Sequence, residues 1–187
     1  MSSPDLDILF TRTLHHGPGA GKPGDLVVPP IVPAAVYCLP GEPSGPYQYG
    51  RWPNPSWDAL ENALRILEDA EVAAFPSGMT AIASIFYSQL KSGDSVLLPS
   101  DAYYTTRALA DKFLRPMGVV LENCPTTEYE SRSFEGFRMV LVETPSNPRL
   151  DICDLVSESE MRLQNRPTDC RIWSAVLVHM NGLGSRL

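Results

Sequence analysis

Four short stretches carry residue types that could hold a small, flat, phosphorylated ligand. "AAFPSGMTAI" sets Ser77, Gly78 and Met79 between a strand-like run and an apolar helix. A helix start offers unpaired N–H groups and the positive end of a dipole, so such a junction can seat a phosphate. "PSDAYY" supplies Tyr103 and Tyr104, whose rings can stack on an aromatic ligand. "ETPSNP" supplies Ser146 and Asn147, hydrogen-bonding groups in a loop stiffened by prolines. "YQYGRWPNPS" adds Tyr47, Tyr49 and Arg51, and a guanidinium beside a phenol hydroxyl suits a phosphate dianion. Each stretch also has a plain structural reading: an N-cap, amphipathic packing, an Asx turn, a surface charge.

The elements that must position these residues follow from pattern. "NPSWDALENALRILEDA" places Trp57, Leu60, Leu64 and Leu67 on one helix face, with Pro55 in the first turn. Thereafter strand-like "EVAAF", "DSVLLP", "GVVLENC" and "FRMVLVETP" alternate with helix-like "GMTAIASIFYSQL" and "TTRALADKFLRPM". That alternation predicts an α/β fold, a mainly parallel sheet with helices on both faces. Ligands of such sheets sit beyond the carboxyl ends of the strands, where "PSGM", "PSDAYY" and "ETPSNP" all fall. The first fifty-odd residues, rich in Pro and Gly, show no helical or strand period and are expected to form an extended arm. The arm's Val27, Val28, Ile31, Val32, Val36 and Tyr37 predict that it lies against another surface, which in a homo-oligomer could be a neighbouring subunit.

Composition narrows the classes. A formal charge of −7 with lysine only at Lys22, Lys91 and Lys112 gives no basic patch for nucleic acid or an anionic membrane. The acidic, unpatterned amino terminus and the lack of a long apolar run predict a cytoplasmic protein. Cys38, Cys124, Cys153 and Cys170 are too dispersed for a redox pair and are expected to be free thiols, and His15, His16 and His179 lack metal-ligand spacing.

Taken in order, "Y-Q-Y-G-R-x-x-N-P-S-x-x-x-L-E", "F-P-S-G-M-x-A-I", "G-D-S-V-L-L-P-S-D-x-Y" and "V-E-T-P-S-N-P-x-L" resemble the Cys/Met-metabolism family of pyridoxal-phosphate enzymes. This is the trans-sulfuration group of cystathionine synthases and lyases and methionine γ-lyases, and the likeness covers roughly His16 to Asp154. The resemblance implies fold type I, with an amino-terminal intersubunit arm (1–53), part of the cofactor domain (54–154) and a divergent tail (155–187). It implies that Ser77 and the backbone of Gly78 and Met79 hold the phosphate of pyridoxal 5′-phosphate. Tyr49 and Arg51 would reach the phosphate of a partner subunit's cofactor. Tyr103 would stack on the pyridine ring, with Tyr104 as the alternative, and Asn147 would lie near the cofactor's phenolic oxygen. The substrates implied are sulfur amino acids, and "DAYYTTRALADKFLRPMGV" is most like γ-lyases.

The resemblance also defines what the chain departs from. The family's chemistry needs a Schiff-base lysine and an aspartate on the pyridinium nitrogen. The strand candidate "WSAVLVHMNGL" ends in His179 where the family places the aspartate, and Lys22, Lys91 and Lys112 match no such role. The expectation is a truncated or frameshifted chain with no catalytic residue of its own, binding the cofactor non-covalently at best. An alternative is a non-catalytic protein that associates with full-length homologues.

Overall fold

The computed structural model describes residues 3–15, 22–42, 44–153 and 171–174. The chain divides into two units, Met1–Ala74 and Phe75–Leu187.

In the first unit, helix α1 (Ser3–Leu14) packs with helix α2 (Pro55–Glu68). α1 departs from the expected helix-free arm: Asp5 in its first turn and Arg12 in its last match the helix dipole, and the Pro- and Gly-rich texture begins only after it. α2 starts where the sequence says it should. The Asn54 side chain accepts the Ser56 N–H at 2.8 Å and Pro55 occupies the first turn. No residue of α2 is buried, so Trp57 and Leu60 of its apolar face stay exposed.

Between the helices the arm is pinned by side chains. Asn54 Nδ2 donates to the Ala34 carbonyl and to the Tyr37 hydroxyl, both at 3.1 Å. Tyr47 donates to Asp58 Oδ2 at 2.9 Å, and the Val32 N–H donates to Ser56 Oγ at 2.7 Å. An isolated antiparallel bridge joins Val36 to Tyr49.

In the second unit a parallel sheet runs in the order β2-β1-β3-β4, with β1 at Ser95–Pro99, β2 at Val120–Cys124, β3 at Met139–Val142 and β4 at Arg171–Ser174. Helix α3 (Gly78–Gln89) precedes β1. Helix α4 (Tyr104–Leu109), extended by a wider π turn over Ala110–Leu114, leads from β1 to β2. A short 3₁₀ helix, Thr126–Ser131, lies between β2 and β3.

Alternate residues of the strands feed two cores, which is why "VLL" and "MVLV" read as unbroken apolar runs. Val96, Leu98, Met139 and Leu141 meet Ile82 and Phe86 of α3 and Leu114 beyond α4. Leu97, Val140 and Val142 meet Tyr129, Phe134 and Cys153 on the opposite face. "EVAAF" differs from expectation: Glu71–Phe75 belongs to no strand among the described residues. Strand β4 shares Trp173 and Ser174 with the expected strand "WSAVLVHMNGL"; the rest of that stretch, including His179, lies outside the described residues, as do Cys170 and most of the tail.

Among the described residues, no helix is long and apolar enough to cross a membrane, and no group of three or more His, Cys, Asp or Glu could hold a metal ion. Among the described residues, Cys38, Cys124 and Cys153 form no disulfide.

Candidate cofactor site

Strand order reverses at β1. The connection from β1 leads to β2 on one side, while β3 lies on the other. Loops leaving the carboxyl ends of β1 and β3 therefore diverge, and a crevice opens between them. A cavity of about 360 Å³ lies there, lined by Ser77, Gly78 and Met79 from the start of α3, Tyr103 from the loop after β1, and Asn147 from the loop after β3. Ile82 and Thr106 complete the lining. The volume falls within the roughly 300–1,000 Å³ usual for small-molecule sites.

Each wall has a local reason to stand where it does. Ser77 is the N-cap of α3, with extended backbone, and its Oγ accepts the Thr80 N–H at 3.2 Å. The Ala81 N–H goes to the Ser77 carbonyl at 3.1 Å. With the third and fourth turn donors engaged, the Gly78 and Met79 N–H groups remain as the outward-facing donors of the helix end. The Thr106 hydroxyl, fully buried on α4, reaches Met79 Sδ at 3.7 Å and ties the two helices together at the cavity floor.

Tyr103 is the N-cap of α4, and its backbone N–H donates to Glu143 Oε2 at 3.1 Å. Its ring meets that of Tyr104 edge-on, with centroids 5.2 Å apart. Tyr103 is 39% exposed and lines the cavity, whereas Tyr104 is 68% exposed and does not. Asn147 is held through its backbone N–H, which donates to the Asp101 carbonyl at 3.1 Å. Ser146 turns inward instead: its Oγ accepts the Asp151 N–H at 3.0 Å, and its own N–H donates to the Asp151 carbonyl at 2.8 Å.

Two carboxylates support this edge. Asp101 Oδ1 accepts both the N–H and the hydroxyl of Thr126 at 2.9 Å. Burial works to raise its pKa, but these hydrogen bonds outweigh it and hold the group below the ordinary 3.8. Glu143 is 5% exposed, and burial, with the nearby charge of Asp101, raises its pKa above the ordinary 4.5 against the Tyr103 N–H and Arg107.

Tyr49 and Arg51 belong to the other unit, where the Arg51 guanidinium lies over the Tyr49 ring, 4.8 Å from its centroid. Both line an open groove with Val36, Tyr37, Gln48 and Trp52.

A family model described as Cys/Met metabolism PLP-dependent enzyme matches residues 10–166. The chain belongs to that family. A Streptomyces coelicolor protein provisionally named cystathionine gamma-lyase is 39% identical over 146 residues, 73% of this chain and 37% of the relative. The L-methionine gamma-lyase of Pseudomonas deceptionensis is 31% identical over 163 residues, 80% of this chain and 41% of its own length. The crystal structure of metB from Corynebacterium glutamicum superposes with a TM-score of 0.74 at 28% identity, covering 92% of this chain and 46% of that one. That of the cystathionine gamma-lyase CalE6 from Micromonospora echinospora gives 0.67 at 31% identity, covering 88% and 44%. The chain thus spans less than half the length of these curated relatives and solved structures.

Pyridoxal 5′-phosphate is the cofactor of this family, and the cavity's donor set fits it. Ile82 supplies apolar surface, the start of α3 offers helix N–H groups, Tyr103 a ring, and Asn147 an amide side chain on a backbone held by Asp101. None of the lining residues is a lysine. Sequence reasoning had five of the seven lining residues; it missed Ile82 and Thr106, which sit inside ordinary helix patterns, and also the supporting Glu143, whose signal was a lone acid closing the run "MVLV".

Proposed function

We propose that this chain carries the cofactor seat of a pyridoxal-phosphate-dependent carbon–sulfur lyase, of cystathionine γ-lyase type, acting on sulfur amino acids. The observation that carries the proposal is the convergence of Gly78, Met79, Tyr103 and Asn147 on one cavity. Gly78 and Met79 offer N–H groups to the phosphate, Tyr103 stacks on the pyridine ring, and Asn147 holds the ring's polar edge. When bound, the pyridine ring serves as an electron sink. The cavity residues bind and orient; with no lysine amine among them, they leave the bond-breaking chemistry to groups beyond this lining. The γ-lyase type is supported by the names of the Streptomyces, Pseudomonas and Micromonospora proteins.

The test is an absorbance titration of the purified 187-residue chain with pyridoxal 5′-phosphate, before and after borohydride, followed by intact mass. Saturable binding displaced by inorganic phosphate, with no stoichiometric reduced adduct, is expected. Absence of saturable binding sinks the cofactor seat. A single-lysine adduct at one equivalent sinks the non-catalytic part of the reading.

A second reading rests on the exposed apolar arm, where Ile31 is 89%, Val36 75% and Trp52 64% exposed. In it the chain associates with a second copy or a full-length homologue and presents Tyr49 and Arg51 to that partner's cofactor phosphate. Light scattering of the chain, alone and mixed with such a homologue, should show a mixed species if this holds.

A further inference from the structure

The loops after β1 and β3 hold each other by a reciprocal pair of hydrogen bonds. The Tyr103 N–H, from the loop after β1, donates to Glu143 Oε2, just past the end of β3, at 3.1 Å. The Asn147 N–H, from the second loop, donates to the Asp101 carbonyl of the first, also at 3.1 Å. The two residues that face the cavity from these loops therefore each have their amide fixed by the opposite loop.

Glu143 is the informative member of the pair. At 5% exposure it is a carboxyl group where an apolar side chain would pack without a desolvation penalty. Its neighbours do not neutralise it: the Arg107 charge favours ionisation, but Asp101 opposes it. The Tyr103 N–H is a directed partner for the carboxyl, and it comes from a residue that lines the cavity. Asp101 is a poorer handle, because its carboxylate also holds Thr126 after β2 and its contact to Asn147 is through backbone.

We propose that Glu143 is a positioning residue: by holding the Tyr103 amide it fixes where the Tyr103 ring stands relative to Asn147, and so shapes the seat for a flat phosphorylated ring. The inference rests on the cofactor-seat reading above.

Two variants of the full chain separate the bond from the charge. Glu143→Gln keeps a carbonyl oxygen that can accept the same N–H, whereas Glu143→Leu removes the acceptor at similar volume. Amide hydrogen exchange of the unliganded chain tests the bond by itself. The Tyr103 amide should exchange about tenfold faster in Glu143→Leu and near the native rate in Glu143→Gln.

Binding of pyridoxine 5′-phosphate, which has no aldehyde to react with stray lysines, tests the consequence. Glu143→Leu should bind about tenfold more weakly and lose most of the ligand's induced circular dichroism, while Glu143→Gln stays within about threefold of native. Inorganic phosphate should bind all three proteins alike, since its donors lie on α3. If Glu143→Leu does not fold, Glu143→Asp, one methylene too short for the bond, must show the same faster exchange and weaker binding.

Native Tyr103 exchange in both Leu and Asp variants overturns the proposal. So does an equal loss of pyridoxine 5′-phosphate and inorganic phosphate binding, which marks general loosening. Native protein with a protected Tyr103 amide and no pyridoxine 5′-phosphate binding sinks the cofactor seat, and the positioning role with it. Native-like binding and dichroism in Glu143→Leu sinks the positioning role alone.

Discussion

The Gly50 N–H donates to the Ala35 carbonyl at 2.8 Å, and a Cβ on Gly50 would stand 2.9 Å from the Ala35 Cα and 3.0 Å from the Ala34 carbonyl oxygen. The contact is backbone on backbone, so neither side can rotate away. The turn that presents Tyr49 and Arg51 exists because residue 50 has no side chain. Gly50→Ala is expected to break the Val36–Tyr49 bridge and speed exchange of the residue-50 amide by more than about tenfold. Native protection of that amide in the variant would show that the arm relaxes without cost.

Tyr129 supplies a stability test independent of the site. It is fully buried, its hydroxyl donates to the Leu141 carbonyl at 3.0 Å, and its ring meets Phe134 edge-on. Tyr129→Phe keeps the ring and strips the donor from a buried strand carbonyl, which should lower unfolding free energy by about 1–3 kcal/mol. Urea denaturation measures it, and an unchanged midpoint would mean that another donor serves the carbonyl.

Thiol chemistry should divide by burial. Cys38 is exposed, while Cys124 and Cys153 are buried. Burial, and then the charges of Glu128 and Asp101, push the Cys124 thiol up to about 11. Brief treatment with iodoacetamide near pH 8 is expected to alkylate Cys38 in native protein and to reach Cys124 and Cys153 only in denaturant. Peptide mass mapping reads the result, and native labelling of Cys124 would contradict the packing of the second core.

The two carboxylates at the sheet edge should shape stability in opposite senses. Asp101 has its pKa held below 3.8, so its contribution is present above that pH and is lost as pH falls toward the folded value. Glu143 has its pKa raised above 4.5, so its contribution is present below that pH and is lost as pH rises through the folded value. Asp101→Asn should flatten the acid limb of a stability–pH profile, and Glu143→Gln should flatten the decline above 4.5. A Glu143→Gln profile parallel to the native one above that pH would reject the assignment.

The second unit was legible in the sequence because its signals are local. "DSVLLP" and "FRMVLV" are short apolar runs bounded by turn residues, and Ser77 is an N-cap residue before an apolar helix. The loops of Tyr103 and Asn147 followed because both leave the carboxyl ends of strands, while the choice of these two over Tyr104 and Ser146 came from the family resemblance. Elsewhere the deciding term is tertiary. "EVAAF" has strand composition, yet a strand is defined by a partner that no local pattern supplies. The face of α2 with Trp57 and Leu60 was read correctly as apolar, although periodicity does not say whether anything covers it. In "TPSNP" the flanking prolines announced a rigid loop but not that Ser146 would face Asp151 while Asn147 faced the cavity.

Strand register makes the site a ruler for the sheet. Val96 pairs with Met139 and Leu97 with Val140, and this alignment both sorts side chains between the two cores and brings Glu143 within reach of Tyr103. A one-residue slip would turn each apolar run inside out and carry the carboxylate away from the amide it holds. Selection acting only on the ligand seat would therefore also preserve the core, because the same alignment of two strands is the unit of length for both.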